Sequence, residues 1–391
     1  MNNFSFYSPT KFVFGKGVES KTGKLAKDFG ASKVMIVYGG GSVVRSGLLN
    51  RVEQSLKEEG IEYVTLDKVQ PNPTDIKVYE GIDLARKEQI DFLLPIGGGS
   101  VIDTAKAIAI GFYYEGDFWN LYEGKDTFSK ALPVGVVLTI PAAGSEGSDG
   151  TVITKVDGGH KLSTGSDILR PKFAVMNPEL TFTLPANQTA YGIVDMMAHI
   201  FERYFTNTKD VEVTDRIAEG LLKAIIAEAP KVFANPEDYE ARANIMWSGT
   251  LAHNGLCGVG RQEDWMSHCM EHEVSGLNDK VAHGAGLAVI FPAWMTFMAS
   301  HHPYKVAQMA ERVFDVKPKQ SEKETALEGI ACLKKFFKQM NMPSTLSELG
   351  FTEADIDVMT AKFHMHNGEK IENVYYTMTP EVTKEIYKIA F

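Results

Sequence analysis

Cysteine is scarce: the 391-residue chain has three, Cys257, Cys269 and Cys332, and no CxxC pair. An odd count without paired spacing excludes a disulfide scaffold and fits a reducing compartment. Basic charge is in deficit too. Lys and Arg number 40 against 50 Asp and Glu, a net charge of −10. No Lys/Arg stripe offsets this, which argues against nucleic acid as a partner. Long apolar runs are missing. The most apolar stretch, 286–299, is interrupted by Pro292 and is shorter than the roughly 18–20 residues a membrane span requires. Met1 to Tyr7 lack a basic region followed by an apolar run, so no signal peptide is expected and the location is expected to be cytoplasmic. Two nucleotide motifs are absent as well, the G-x-G-x-x-G fingerprint and the Walker lysine.

What is present is an ordinary globular composition, 44% apolar and 23% charged. It excludes a disordered or fibrous chain, and the length predicts two or three domains. Residues 4–14 alternate as a half-buried strand does. Apolar runs at 33–38, 61–66, 91–96 and 134–139 read as strands, and 47–59, 75–88 and 101–110 between them as helices. This rhythm predicts a parallel sheet covered by helices, with ligands at the carboxyl ends of the strands. After the prolines at 178 and 185 the strand signals fade, and helical patterns run to the end of the chain. The expected architecture is an α/β dinucleotide-binding domain over 1–185, followed by an all-α domain over 186–391.

Two strands end in glycine: Tyr38-Gly39-Gly40-Gly41-Ser42 and Gly97-Gly98-Gly99-Ser100. Each such turn leads into a helix, whose free N–H groups and positive end suit a phosphate. A tight turn with no ligand is the plain alternative for either one. Position 39 adds information. An acid at the end of this strand would bind an adenosine ribose and repel a 2′-phosphate. Here a glycine stands, with Ser42 and Arg45 close behind, which favours NADP(H) over NAD(H).

Asp195 and His199 are four apart on a predicted helix and share a face, so both can reach one cation. Three of the ten histidines, His268, His272 and His283, fall within 16 positions. Hydrogen-bonded core histidines remain the bland account. His268-x-x-Glu271-His272 also fits H-x-x-E-H, an inverted zinc-peptidase signature in which Glu271 is the general base. That pattern leaves the nucleotide-like first half unexplained.

Taken together, these segments resemble the iron-dependent (group III) alcohol dehydrogenases, most closely their NADPH-dependent butanol dehydrogenase branch. The residues that carry the likeness are Gly97-Gly98-Gly99-Ser100-x-x-Asp103, Gly144-Ser145-Glu146, Asp195-x-x-x-His199, His268-x-x-x-His272 and His283-Gly284. It runs over nearly the whole chain. The resemblance implies a divalent metal, Fe²⁺ first with Zn²⁺ or Ni²⁺ as alternatives, held by Asp195, His199, His268 and His283. It places His272 beside the nicotinamide. It implies cofactor contacts from Gly39, Gly40, Ser42, Asn72, Gly98, Gly99, Ser100, Asp103, Thr139, Ser148 and Lys161. It also implies a homodimer, for which the strand at 4–14 is a candidate contact. Two positions depart from the family pattern: Ala143 stands where a threonine is common, and Asn177 where an aspartate is usual.

The expected reaction is NADP(H)-linked interconversion of short primary alcohols and aldehydes. The ion would polarise the carbonyl, and His272 would relay a proton. Trp265, Met266, Leu277 and Phe291 are candidates for an alkyl pocket. An NAD-linked polyol dehydrogenase of the glycerol type and a dehydroquinate-synthase-like lyase are the alternatives on the same scaffold.

Overall fold

The computed structural model describes residues 1–372 and 374–391. The chain divides into two compact units that are discontinuous in sequence. Tyr7–Leu184 and Glu237–Thr250 form one, and Met1–Phe6, Pro185–Pro236 and Leu251–Phe391 form the other.

The first unit contains strands β1 (Lys11–Phe14), β2 (Lys33–Tyr38), β3 (Glu62–Leu66), β4 (Phe92–Gly97), β5 (Gly135–Leu138), β6 (Gly150–Lys155), β7 (His160–Gly165) and β8 (Phe173–Met176). Its helices are α1 (Thr22–Asp28), α2 (Ser42–Arg45), α3 (Leu48–Glu58), α4 (Asp75–Glu88) and α5 (Gly99–Tyr113). Six strands form a parallel sheet in the order β1-β8-β5-β4-β2-β3. Its central strands are apolar throughout because both faces are covered. Val34 and Ile36 enter one buried cluster, and Met35 and Val37 enter another on the opposite face.

The strand order places the ligand end. From β2 the chain steps outward to β3, then returns to pair β4 on the other side of β2. That reversal opens a crevice at the carboxyl ends of β2 and β4. Tyr38 lies opposite Ile96, so both glycine turns leave the sheet side by side.

Two strand expectations are corrected. Only Lys11–Phe14 of the 4–14 stretch is a strand, and Phe4, Phe6 and Tyr7 are exposed. A strand that short is enough to pair with β8 at the sheet edge. The antiparallel hairpin β6–β7 was not anticipated. Its strands are half-exposed and polar, so they lack the apolar run that marks a buried strand.

The second unit is built on helices α6 (Ala186–Tyr204) and α7 (Glu212–Ala234), the end of α8 (Tyr239–His253), and α9 (Met266–Leu277), α10 (His283–His301), α11 (Tyr304–Val313), α12 (Glu322–Gln339), α13 (Asp355–Asn367) and α14 (Pro380–Ile389). Pro292 lies inside α10 instead of ending it. Among the described residues, no helix is long and apolar enough to cross a membrane.

Candidate active site

The helical unit gathers the predicted ligands. Asp195 and His199 lie one turn apart on α6, His268 is on α9, and His283 opens α10. Two glycines let these helices meet. A Cβ on Gly284 would stand 2.2 Å from the Tyr191 carbonyl oxygen, so α10 can approach α6 only with glycine there. A Cβ on Gly286 would stand 2.7 Å from Cγ and Oε1 of Glu271, so α10 also closes on the Glu271 carboxylate of α9.

Three imidazoles point at one oxygen. Asp195 Oδ1 lies 3.6 Å from His199 Nδ1, 3.9 Å from His268 Nε2 and 3.7 Å from His283 Nε2. Ligands held about 2.1 Å from an ion stand roughly 3–3.5 Å apart, so a small contraction would complete a coordination shell. The donors of Asp195, His199 and His268 lie within 4.8 Å of one another. His199 Nδ1 is buried and, among the described residues, makes no hydrogen bond. Burial, then the neighbouring His253 and His268, holds the His199 imidazole well below its usual pKa. A neutral ring with a buried lone pair fits a metal ligand.

The outer nitrogens are fixed by carboxylates. His268 Nδ1 bonds Glu202 Oε1 at 2.7 Å, and the same oxygen accepts the His268 backbone N–H at 2.8 Å. Glu202 Oε2 accepts the Trp265 N–H at 2.9 Å. His283 Nδ1 bonds Glu271 Oε2. Carboxylates behind metal-binding imidazoles set the tautomer and the ring direction. Glu271 is wholly buried and engaged with His283, so it is not placed as the base of the zinc-peptidase pattern. Glu271, His272 and His283 also form a group of metal-like spacing, but the Glu271–His283 bond turns two of those donors toward each other. His272 stands beside the cluster, its ring 5.6 Å from that of His283.

Sequence reasoning missed Glu202, although Asp195, His199 and Glu202 follow the i, i+4, i+7 spacing of one helix face. It also missed His253, whose ring lies 4.1 Å from that of His199. Of the four apolar candidates, Trp265 and Phe291 pack 5.2 and 6.0 Å from His268. Met266 is buried, and Leu277 faces solvent.

In the α/β unit, Gly98 caps α5 in an extended conformation, and Gly99 and Ser100 begin the helix. A Cβ on Gly98 would meet Ile140 at 2.8 Å, and one on Gly99 would meet Ala143 at 2.9 Å. The glycines therefore serve close packing as well as any ligand. The Thr139 N–H bonds the Gly97 carbonyl at 3.0 Å. Gly39 precedes Gly40, where an added Cβ would meet nothing within 4 Å, and Gly41, whose φ is 97°. Ser42 begins α2, and Arg45 Nη1 reaches to 3.3 Å of the Cβ position of Gly41. Lys161 Nζ bonds Asn72 Oδ1 at 3.3 Å, joining β7 to the loop before α4. Asp103 and Ser148 are committed to an internal network described below.

Residues 9–178 match the iron-containing alcohol dehydrogenase family, and 189–391 match the C-terminal region of the Fe-containing alcohol dehydrogenase family. The chain belongs to this family, an oxidoreductase class acting on alcohols and aldehydes that implies a divalent metal and a nicotinamide cofactor. It is 42% identical over 372 residues to the probable NADH-dependent butanol dehydrogenase 2 of Bacillus subtilis, covering 94% of this chain and 95% of that one. It is 36% identical to the NADPH-dependent aldehyde reductase YqhD of Escherichia coli over the full length of both. The crystal structure of NADH-dependent butanol dehydrogenase A from Thermotoga maritima superposes with a TM-score of 0.96 at 40% identity, covering 100% of this chain and 99% of that one.

Proposed function

We propose that the protein interconverts short-chain primary alcohols, such as butanol, and their aldehydes with NADP(H). The observation that carries this reading is the convergence of three imidazoles on Asp195 Oδ1. The butanol dehydrogenase and aldehyde reductase names of its relatives support the substrate class. In this division of labour the α/β unit binds the dinucleotide and the helical unit binds the metal, Fe²⁺ by preference.

Asp195, His199, His268 and His283 would hold the ion, which would supply Lewis acidity when bound. The hydride would come from a nicotinamide bound by the α/β unit. Glu202 and Glu271 keep the His268 and His283 rings aimed inward. His272 holds the proton that the product oxygen takes up at an imidazole nitrogen. The Gly98–Gly99 turn and the start of α5 receive the pyrophosphate. Names among the relatives carry both NADH and NADPH, so the preference rests on this chain's own residues. Gly39 removes the acid that would repel a 2′-phosphate, Gly40 leaves space, and Arg45 overhangs the turn. The protein acts in the cytoplasm as a homodimer on small molecules.

The test strips metal with a chelator, restores Fe²⁺, Zn²⁺ or Ni²⁺, and follows butanal reduction at the nicotinamide absorbance, with metal content read separately. Metal-dependent butanal reduction that prefers NADPH is expected. Turnover indifferent to metal, or faster turnover of glycerol with NAD, overturns the proposal.

A further inference from the structure

One and two turns into α5, two charged side chains reach back to the segment after β5 and to the start of β6. Asp103 Oδ1 accepts the Ser145 hydroxyl at 2.6 Å, and Oδ2 accepts the Val152 N–H at 3.0 Å. The Asp103 carbonyl accepts the Thr151 hydroxyl at 2.8 Å. Lys106 has no exposed surface, and its Nζ donates to the carbonyls of Ser145 at 2.7 Å, Ser148 at 2.9 Å and Gly150 at 3.0 Å. The Ser148 hydroxyl also lies 3.4 Å from Nζ. An ammonium without such partners is costly to bury, and an apolar side chain would fill the same space without that cost. What the ammonium adds is a fixed position for two carbonyls of the loop and the first carbonyl of β6.

That loop adjoins the cofactor turn. Gly144, with φ of 62°, starts its bend, and Ala143 just before it is the residue a Cβ on Gly99 would strike. Moving the loop therefore moves a wall of the Gly98–Gly99 turn. We propose that Asp103 and Lys106 are positioning residues: together they clamp residues 145–152 onto α5 and so set affinity for the dinucleotide without touching it. The inference rests on the cofactor reading above. It reassigns Asp103, and with it Ser148, from cofactor contact to support. Burial lowers the Lys106 pKa to about 8, so the side chain still carries most of its charge at neutral pH.

The experiment compares the full-length metal-loaded enzyme with Lys106→Met, Asp103→Asn and Ser145→Ala. It measures KM and kcat for NADPH, NADPH binding by nicotinamide fluorescence, and amide exchange over 145–152. Expected are a tenfold or greater rise in KM for Lys106→Met and Asp103→Asn, about threefold for Ser145→Ala, kcat within twofold, and faster exchange at Val152. Unchanged KM in the soluble variants, or a fall in kcat at unchanged KM, overturns the clamp. If Lys106→Met does not fold, Asp103→Asn and Ser145→Ala decide by the same criteria. If the wild type binds no nicotinamide dinucleotide, the cofactor reading fails first, and unchanged Val152 exchange in Asp103→Asn then overturns the clamp separately.

Discussion

Glu202 Oε1 holds both the ring and the backbone of His268, at 2.7 Å to Nδ1 and 2.8 Å to the amide nitrogen. One carboxylate oxygen thus fixes where α9 starts and which way its first imidazole faces. Replacing Glu202 with Gln leaves an amide in the same volume, but its single oxygen cannot serve the bonds that the two carboxyl oxygens share among the Trp265 N–H, the His268 N–H and the His268 ring. Loss of a carboxylate behind a metal-binding imidazole typically costs about 10–100-fold in metal affinity. Glu202→Gln is expected to lose iron at chelator concentrations the wild type withstands, as read by metal analysis after dialysis. Full retention would show that His268 needs no such support.

The approach of α10 to α6 gives a second expectation. Gly284→Ala puts a methyl group 2.2 Å from the Tyr191 carbonyl, and backbone cannot rotate away. The helices must part, which carries His283 Nε2 from its place 3.7 Å from Asp195 Oδ1. Overpacking of this kind costs about 1–3 kcal/mol. Gly284→Ala is expected to melt earlier and to bind metal more weakly, whereas Gly220→Ala, inside α7 where an added Cβ meets nothing, is expected to melt no earlier, gaining the helix propensity of alanine, and to leave metal binding unchanged. Calorimetry alongside metal analysis distinguishes the two.

These two relationships show why only part of the molecule was legible beforehand. The strands β2 and β4 announce themselves because burial on both faces demands an unbroken apolar run. Asp195 and His199 are legible as a pair because i, i+4 spacing is local. The meeting of His283 with Asp195 is not local: it depends on Gly284 passing Tyr191, which no spacing along the chain encodes. Glu271 was visible only as a peptidase base because its partner, His283, is twelve residues away across a helix break. The β6–β7 hairpin had a signal that went unread, Asp157-Gly158-Gly159 between polar alternating segments, with both glycines at positive φ. Lys106 looked like one more helix lysine because nothing in sequence shows three carbonyls converging on it.

Cofactor choice yields a third expectation. Gly39 does not require positive φ, and a Cβ there would lie 3.2 Å from the Val69 carbonyl, so a side chain fits with a small shift. Gly39→Asp places a carboxylate near the site proposed for the 2′-phosphate. At about 6 Å and an effective dielectric of about 20–40, each pair of like charges costs roughly 1–3 kcal/mol. The ratio of kcat/KM for NADPH over NADH is expected to fall by about 10–100-fold, read from initial rates with each cofactor. An unchanged ratio would remove Gly39 as the selector.

Lys106 also ties stability to pH, with a sign that can be fixed in advance. Its pKa falls from 10.5 in an open chain to about 8 in the fold, with burial the leading cause; Asp103 on its own helix and Glu146 and Asp149 of the loop oppose the fall, and Arg170 adds to it. Between those values the unfolded chain binds more protons than the native one, so raising the pH favours folding. The contribution is present above about 10.5 and is lost as pH falls through about 8. At about 1.4 kcal/mol per unit the span is worth about 3 kcal/mol. Lys106→Met cannot titrate there. The unfolding free energy of the wild type minus that of Lys106→Met is therefore expected to rise between pH 8 and 10.5, measured by urea titration at fixed ionic strength. A difference that stays flat or falls across that window would mean that the native ammonium keeps its proton, held by its three carbonyls more firmly than burial expels it.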